Sequence, residues 1–85
     1  MAAKFPDKLD HAAVLEFSDF GNFGTIKGDG RTVCYFAICQ YPNDTDYYLF
    51  LCADDYDVII DCCMESMESC KKTASLRGDV VWHRK

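Results

Sequence analysis

The feature that most constrains the fold is a pair of apolar segments, "VCYFAIC" at residues 33–39 and "YYLFLCA" at residues 47–53. β-Branched and aromatic residues are typical of strands, and successive side chains of a strand point to opposite faces of its sheet. Both segments are apolar on both faces, whereas a sheet with one solvated face would alternate apolar with polar residues. The sequence therefore predicts a sheet that needs cover on both of its faces.

Short turns separate these segments from their neighbours along the chain. Turn residues occur as "GDG" at 28–30, "PNDTD" at 42–46 and "DDYD" at 54–57, and Gly, Asn and Asp tolerate the positive φ of tight turns. "VIIDC" at 58–62 is the next predicted strand, and residues 63–64 are expected to form a corner after it. Short connections favour antiparallel neighbours, so we predict a meander.

The pattern changes to a helical one after the corner, and we predict a helix over about residues 66–77. Ser66 is a typical N-cap residue, and Glu68 suits the positive end of the helix dipole. Gly78 ends the helix, and "DVVWHRK" at 79–85 is predicted to form a short final strand. The apolar face of the helix consists of Met67, Cys70 and Ala74.

The N-terminal segment, residues 7–20, admits two interpretations. Pro6 suits the first turn of a helix and Gly21 suits its C-cap, and the apolar residues between them fall near helical spacing. "AAVLEF" at 12–17 equally fits a strand. We favour a helix for the first half of the segment. Either this segment or another molecule must cover the second face of the sheet.

These elements predict a single α+β domain over residues 1–85. It consists of an antiparallel sheet of about four or five strands, one helix packed on one face, and an N-terminal helix or strand. Apolar runs such as residues 33–39 are far shorter than the roughly 20 residues of a membrane-spanning helix. "MAAKFPDKLDH" lacks the apolar stretch of a secretory signal, so we expect a cytoplasmic protein without a membrane partner.

The distribution of charge limits the partners. The net charge is −5, and no Lys or Arg occurs from residue 32 to residue 69. That stretch holds eight carboxylates: Asp44, Asp46, Asp54, Asp55, Asp57, Asp61, Glu65 and Glu68. Nucleic-acid phosphates are contacted mainly by Lys and Arg, so we expect no nucleic-acid binding. An acidic surface instead attracts a protein with a basic surface.

The six cysteines raise the question of thiol or metal chemistry, since three of them lie in "DCCMESMESC" at residues 61–70. No C-x2-C pair of a structural zinc site is present, and the acidic neighbours disfavour a thiolate. Free cysteines commonly pack as small apolar residues. We therefore predict no catalytic residue, no metal site and no cofactor. The alternative is a thiol-dependent enzyme or redox sensor using Cys62, Cys63 or Cys70.

Residues 47–74, "YYLFLCADDYDVIIDCCMESMESCKKTA", resemble a known layout in which a strand, an acidic turn, a second strand and a Ser-capped helix follow one another. The layout occurs in small, mostly uncharacterised bacterial families, some of which are grouped with polymorphic-toxin immunity proteins. The resemblance implies a cytosolic, acidic binding protein that is not an enzyme. It assigns a role to no individual residue.

Tyrosines among acidic residues are typical of protein-binding surfaces, although Asp is also common in turns for conformational reasons alone. We predict a stoichiometric protein-binding module of the immunity or inhibitor type that engages a basic protein surface. A further alternative is a structural subunit that self-associates through the second sheet face as a homodimer or larger homo-oligomer. The predicted partner-binding residues lie in two acidic turns: Asp44, Asp46, Tyr48, Asp54, Asp55, Tyr56 and Asp57.

Overall fold

The computed structural model describes residues 5–85 and contains an antiparallel sheet and one helix in that part of the chain. The elements are β1 (Lys8–Leu9), β2 (Ala12–Ser18), β3 (Tyr35–Gln40), β4 (Tyr47–Cys52), β5 (Val58–Met64), α1 (Met67–Ser75) and β6 (Trp82–Arg84). Strands β1 to β5 lie side by side in chain order, and β6 pairs with β2. The predicted α+β class, with an antiparallel meander and one helix in the C-terminal half, is confirmed.

The N-terminal segment forms strands, so the helix favoured for its first half is wrong. Asp10 and His11 have φ angles of 47° and 70°, which make a tight turn between β1 and β2. Ala12 and Val14 are buried while Ala13 between them is exposed, which is the alternation of a strand. Strands β1 and β6 share the outer edge of β2, and these long-range pairings select the extended conformation.

The two central strands are buried on both faces, as their sequences predict. Strands β3 and β4 pair with Ala37 opposite Phe50 and Ile38 opposite Leu49. One face packs against α1 in a helix-side core that includes Phe36, Ile38, Leu49, Leu51, Cys70 and Ala74. Helix α1 starts as predicted, because the hydroxyl of Ser66 accepts a hydrogen bond from the backbone N–H of Ser69 at 3.1 Å.

The second face is covered by the chain itself. Phe5 and Leu9 are buried there against the side chains of the central strands, and the ring of Phe5 stacks on that of Phe17 with centroids 4.7 Å apart. The other buried members of this second core are Ala12, Val14, Ala37, Cys39, Phe50 and Cys52. Of the two covers that the sequence required, the N-terminal segment is the one observed, and no second molecule is needed on this face.

Two local predictions differ in their outcome. The predicted turn at "GDG" is confirmed, because a bridge joins Thr25 to Thr32 and the two glycines between them, Gly28 and Gly30, have φ angles of 93° and 86°. The predicted corner at residues 63–64 is wrong, because β5 continues to Met64. The chain stays extended there because Tyr48 pairs with Cys63 in the ladder between β4 and β5.

Candidate functional site

The two acidic turns lie at opposite ends of the sheet. Strand β4 runs from Tyr47 to Cys52 between them, and six residues of a strand span about 20 Å. The structure therefore does not bring the seven predicted partner-binding residues into one surface. Asp44, Asp46 and Tyr48 lie at the end that we name the Asp44 end. Asp54, Asp55, Tyr56 and Asp57 lie in the turn between β4 and β5, at the other end.

At the Asp44 end the carboxylates accept hydrogen bonds from their own neighbourhood. Asp44 accepts from the backbone N–H of Asp46 at 2.9 Å through Oδ1, and from the hydroxyl of Tyr48 at 3.3 Å through Oδ2. Oδ2 of Asp46 accepts from the thiol of Cys63 at 3.7 Å. A hydrogen bond with Cys63, burial and the charge of Asp44 raise the pKa of Tyr48 to about 12. These acidic residues therefore stabilise the turn that contains them.

In the other turn, the carboxylates divide into paired and unpaired groups. Arg31 forms ion pairs with Asp29 at 2.8 Å and with Asp57, and hydrogen bonds to these two carboxylates raise the pKa of its guanidinium. Asp55 accepts from the backbone N–H of Asp57 at 3.1 Å. Within residues 5–85, neither Asp54 nor Asp55 forms an ion pair, and both are exposed. These two charges remain available to a partner.

An exposed aromatic residue that sequence reasoning missed lies beside this turn. Phe20 is 63% exposed, and it is the one aromatic among the large apolar side chains exposed in the described part of the chain. Its ring meets Tyr35 edge-on with centroids 5.4 Å apart, and Tyr35 stacks on Tyr56 at 4.8 Å. We name this region the Phe20 end, defined by Phe20, Tyr35, Asp54, Asp55 and Tyr56.

Strand β2 ends just before Phe20, and Gly21 determines the path of the backbone after the strand. The backbone N–H of Gly21 donates to the carbonyl of Cys34 at 2.9 Å. A Cβ atom at position 21 would lie 2.8 Å from the ring of Phe23, so glycine permits this close approach. If residues 12–17 are a strand, Phe20 is a large apolar residue beyond its end, next to the turn-forming residues Gly21 and Asn22. That position is the sequence signal that indicates an exposed ring at Phe20.

A concavity of about 250 Å³, which we name the aromatic groove, opens between these rings. Its wall residues are Phe5, Phe17, Asp19, Phe20, Tyr35 and Tyr56, with Ser18 beneath them. Burial and a hydrogen bond with Tyr56 raise the pKa of Tyr35 to about 12. Asp54 lies beside the groove, where it lines a neighbouring cavity together with Phe20 and Arg31.

The six cysteines are all free, and they are distributed over both cores and the surface. Cys39, Cys52 and Cys70 are buried, and burial raises the pKa of these thiols to about 12, 12 and 11. Cys62 packs against the helix-side core, whereas Cys63 is exposed on the other face of β5. The adjacent pair is therefore split between the two faces of one strand.

The histidines do not join the cysteine cluster. His11 lies in the turn between β1 and β2, and His83 on β6 pairs with Phe17 of β2. Cys62 and Cys63 lie on β5, which is at the opposite edge of the sheet. Among residues 5–85, no three or more His, Cys, Asp or Glu side chains are grouped so that they could hold a metal ion.

Comparisons of the chain with protein-family models, with curated proteins and with solved structures found no match. Within the described residues, no helix has the length and apolar character needed to cross a membrane. The fold and its surface define a small α+β protein that carries an aromatic groove beside unpaired carboxylates.

Proposed function

We propose that this protein is a stoichiometric protein-binding module of the immunity or inhibitor type, and that it binds its partner through the Phe20 end. The observation that carries the proposal is the exposed ring of Phe20 beside the aromatic groove. Interface cores are enriched in aromatic residues and depleted of charge, and a polar rim surrounds them. The Phe20 end matches this anatomy, with Phe20, Tyr35 and Tyr56 as core and Asp54 and Asp55 as rim.

Burial of Phe20 supplies a favourable term for such an interface. A Phe side chain has roughly 200 Å² of surface to bury, and Phe20 is 63% exposed in the free chain. At about 25 cal/mol per Å² of apolar surface, covering the remainder is worth about 3 kcal/mol before the costs of association. This is the size of contribution expected of a central interface residue.

Charge favours the Phe20 end over the Asp44 end and favours a basic partner. Within residues 5–85 the carboxylates of both ends lack ion pairs apart from Asp57. Asp44 and Asp46 accept hydrogen bonds from the side chains of Tyr48 and Cys63, whereas Asp55 accepts one from the backbone N–H of Asp57. Unpaired carboxylates around an apolar centre attract a positively charged surface and speed the encounter. The Asp44 end therefore serves as a matched comparison in the experiment.

The experiment compares two double variants that each remove two charges. Asp54→Asn with Asp55→Asn changes the Phe20 end, and Asp44→Asn with Asp46→Asn changes the other end; Asp57 stays because it holds Arg31. Each protein is used to capture partners from the native host, and the partner captured by the wild type is purified and titrated at several salt concentrations. We expect the first variant to bind at least tenfold more weakly with a smaller salt dependence. We expect the second variant to bind like the wild type.

Phe20→Ser tests the apolar contact in the same experiment, and we expect this variant to abolish binding of the purified partner. If the partner binds Phe20→Ser as tightly as the wild type, the Phe20 end is not the binding surface. The inhibitor part of the proposal is tested on the partner's own activity, which should fall to zero at one equivalent of this protein. A partner that stays fully active when saturated would contradict inhibition.

A further inference from the structure

The rings of the aromatic groove form two sets that stand nearly at right angles. Phe5 and Phe17 are within 15° of parallel, and Tyr35 and Tyr56 are within 29°. The ring of Phe5 makes angles of 75° and 76° with the two tyrosines, and Phe20 also stands at 75° to Tyr35. Phe5 is 5% exposed and supports the groove from below, so the rings that a guest can reach are the exposed ring of Phe20 and the half-buried rings of Phe17, Tyr35 and Tyr56. This arrangement is typical of sites that hold a cation against several rings.

The charges around the groove are suited to a positive guest. Asp19 is the one charged residue among the described residues that line it. Asp54 lies in the adjacent turn and lines a neighbouring cavity with Phe20 and Arg31, and Arg31 is paired with Asp29 and Asp57. The ammonium of Lys85 also lies 5.9 Å from the centroid of Phe17, where the carboxylate of Asp7 and the carbonyl of Phe5 hold it. The hydroxyl of Ser18 beneath the groove already accepts a hydrogen bond from the backbone N–H of Phe36 and donates one to a carbonyl.

We propose that the aromatic groove binds the guanidinium group of an arginine side chain contributed by the protein partner. This inference rests on the proposed function and names the partner residue that the Phe20 end recognises. A guanidinium is planar and weakly hydrated, so it can stack on the ring of Phe20 or Tyr35 while its N–H groups face a carboxylate. Oδ1 of Asp19 is paired with His83, which leaves Oδ2 of the same carboxylate for the guest. A lysine ammonium is more strongly hydrated and offers no plane to stack.

The first test uses the full-length chain without any partner. The probe is N-acetyl-arginine N-methylamide, and the control is the citrulline analogue, which has nearly the same shape without the charge. Binding is followed by aromatic and backbone NMR shifts at constant ionic strength, balanced with sodium chloride. We expect saturable shifts at Phe20, Tyr35 and Tyr56 with a millimolar Kd, and at least tenfold weaker binding of the citrulline analogue. Equal binding of the two compounds, or no saturable shift, would overturn the proposal.

The second test changes the groove. Phe20→Leu keeps an apolar side chain but removes one aromatic face, and we expect it to weaken binding of the arginine compound at least fivefold. Asp46→Asn at the Asp44 end is the matched control and should bind like the wild type. The backbone spectrum of each variant reports whether the fold is intact. Unchanged binding by Phe20→Leu would contradict the role of this ring. N-acetyl-lysine N-methylamide is titrated in the same way, and equal binding of this compound would contradict the preference for arginine.

These outcomes separate the two proposals. If the arginine compound does not bind while a partner still depends on Phe20, the groove is not an arginine site and the protein-binding function stands. If the arginine compound binds while no partner depends on the Phe20 end, the groove is an arginine site and the proposed protein-binding function is wrong. Shifts of the groove residues that change with protein concentration before any probe is added would identify a second copy as the occupant, and would overturn the assignment to a partner's arginine.

Discussion

The hydroxyl of Ser18 accepts a hydrogen bond from the backbone N–H of Phe36, 2.8 Å away and 18 positions along the chain. Ser18 is 1% exposed, and its own hydroxyl proton is donated to the carbonyl of Asp19. The pairing of β2 with β3 ends at Phe17, while on the other edge of β2 the pairing with β6 continues to Ser18, opposite Trp82. A side chain thus replaces the backbone partner that Phe36 would find in a regular ladder.

Ser18→Ala should therefore lower the free energy of unfolding by about 1–3 kcal/mol, because it leaves a buried N–H without an acceptor. The measurement is urea denaturation followed by circular dichroism. Ser75→Ala is the matched control: its hydroxyl bonds to the carbonyl of Lys72 on the exposed surface of the helix, so we expect a change within about 0.5 kcal/mol. Equal effects of the two variants would show that the bond to Phe36 contributes nothing specific.

The elements predicted correctly are those that a sequence pattern within one short segment determines. The apolar pattern of β3 and β4 fixed their burial on both faces, and Ser66 marked the start of the helix within one turn. The N-terminal segment is ambiguous because the spacing of its apolar residues suits both the roughly 3.6-residue period of a helix and the two-residue period of a strand. Pairing of β2 with β3 and β6 decides in favour of strands, and those partners are distant in the sequence. Local spacing cannot report such pairings.

The candidate site could be predicted only in part, for a related reason. Turn position and charge predict Asp54 and Asp55, and Tyr56 follows as a tyrosine among acidic residues. The separation of the two acidic turns follows from the meander itself, because successive turns of a meander lie at opposite ends. The exposure of Phe20 and its contact with Tyr35 depend on the close approach at Gly21, which only the folded chain defines.

Phe5→Ala should lower the free energy of unfolding by about 3–5 kcal/mol. Phe5 is 5% exposed and closes the second face of the sheet, where its ring contacts Phe17, Tyr35 and Tyr56. Phe20→Ala is the matched control, because a ring that is mostly in water loses little on removal, and we expect less than about 1 kcal/mol. The measurement is urea denaturation, and similar values for both variants would contradict the covering role of Phe5.

Ser66→Ala should lower the free energy of unfolding by about 1 kcal/mol, because it removes the acceptor for the backbone N–H of Ser69. Ser66→Asp keeps an acceptor at the N-cap and should retain most of that stability. Thermal unfolding followed at 222 nm compares the three proteins. If Ser66→Asp loses as much as Ser66→Ala, the capping bond is not the cause.

Native alkylation should label Cys63 first. Its thiol is exposed, whereas Cys39, Cys52 and Cys70 are buried and should react only after unfolding. The measurement is intact-mass analysis with peptide mapping after iodoacetamide treatment, with and without denaturant. Rapid native labelling of Cys70 would contradict its place in the helix-side core. That outcome would favour the alternative of a thiol-dependent enzyme or redox sensor.

The stability of the fold should decline at alkaline pH through its buried thiols. Burial raises the pKa of Cys39 and Cys52 to about 12, against 9.0 for an ordinary thiol. Because the unfolded chain releases these protons first, the stabilisation is complete below pH 9 and is lost as the pH rises towards 12. Urea midpoints should fall across this window. Cys52→Ala should make the decline shallower, while Cys63→Ala leaves the buried thiols in place as the matched control. A decline of equal steepness in both variants would show that buried thiols are not its source.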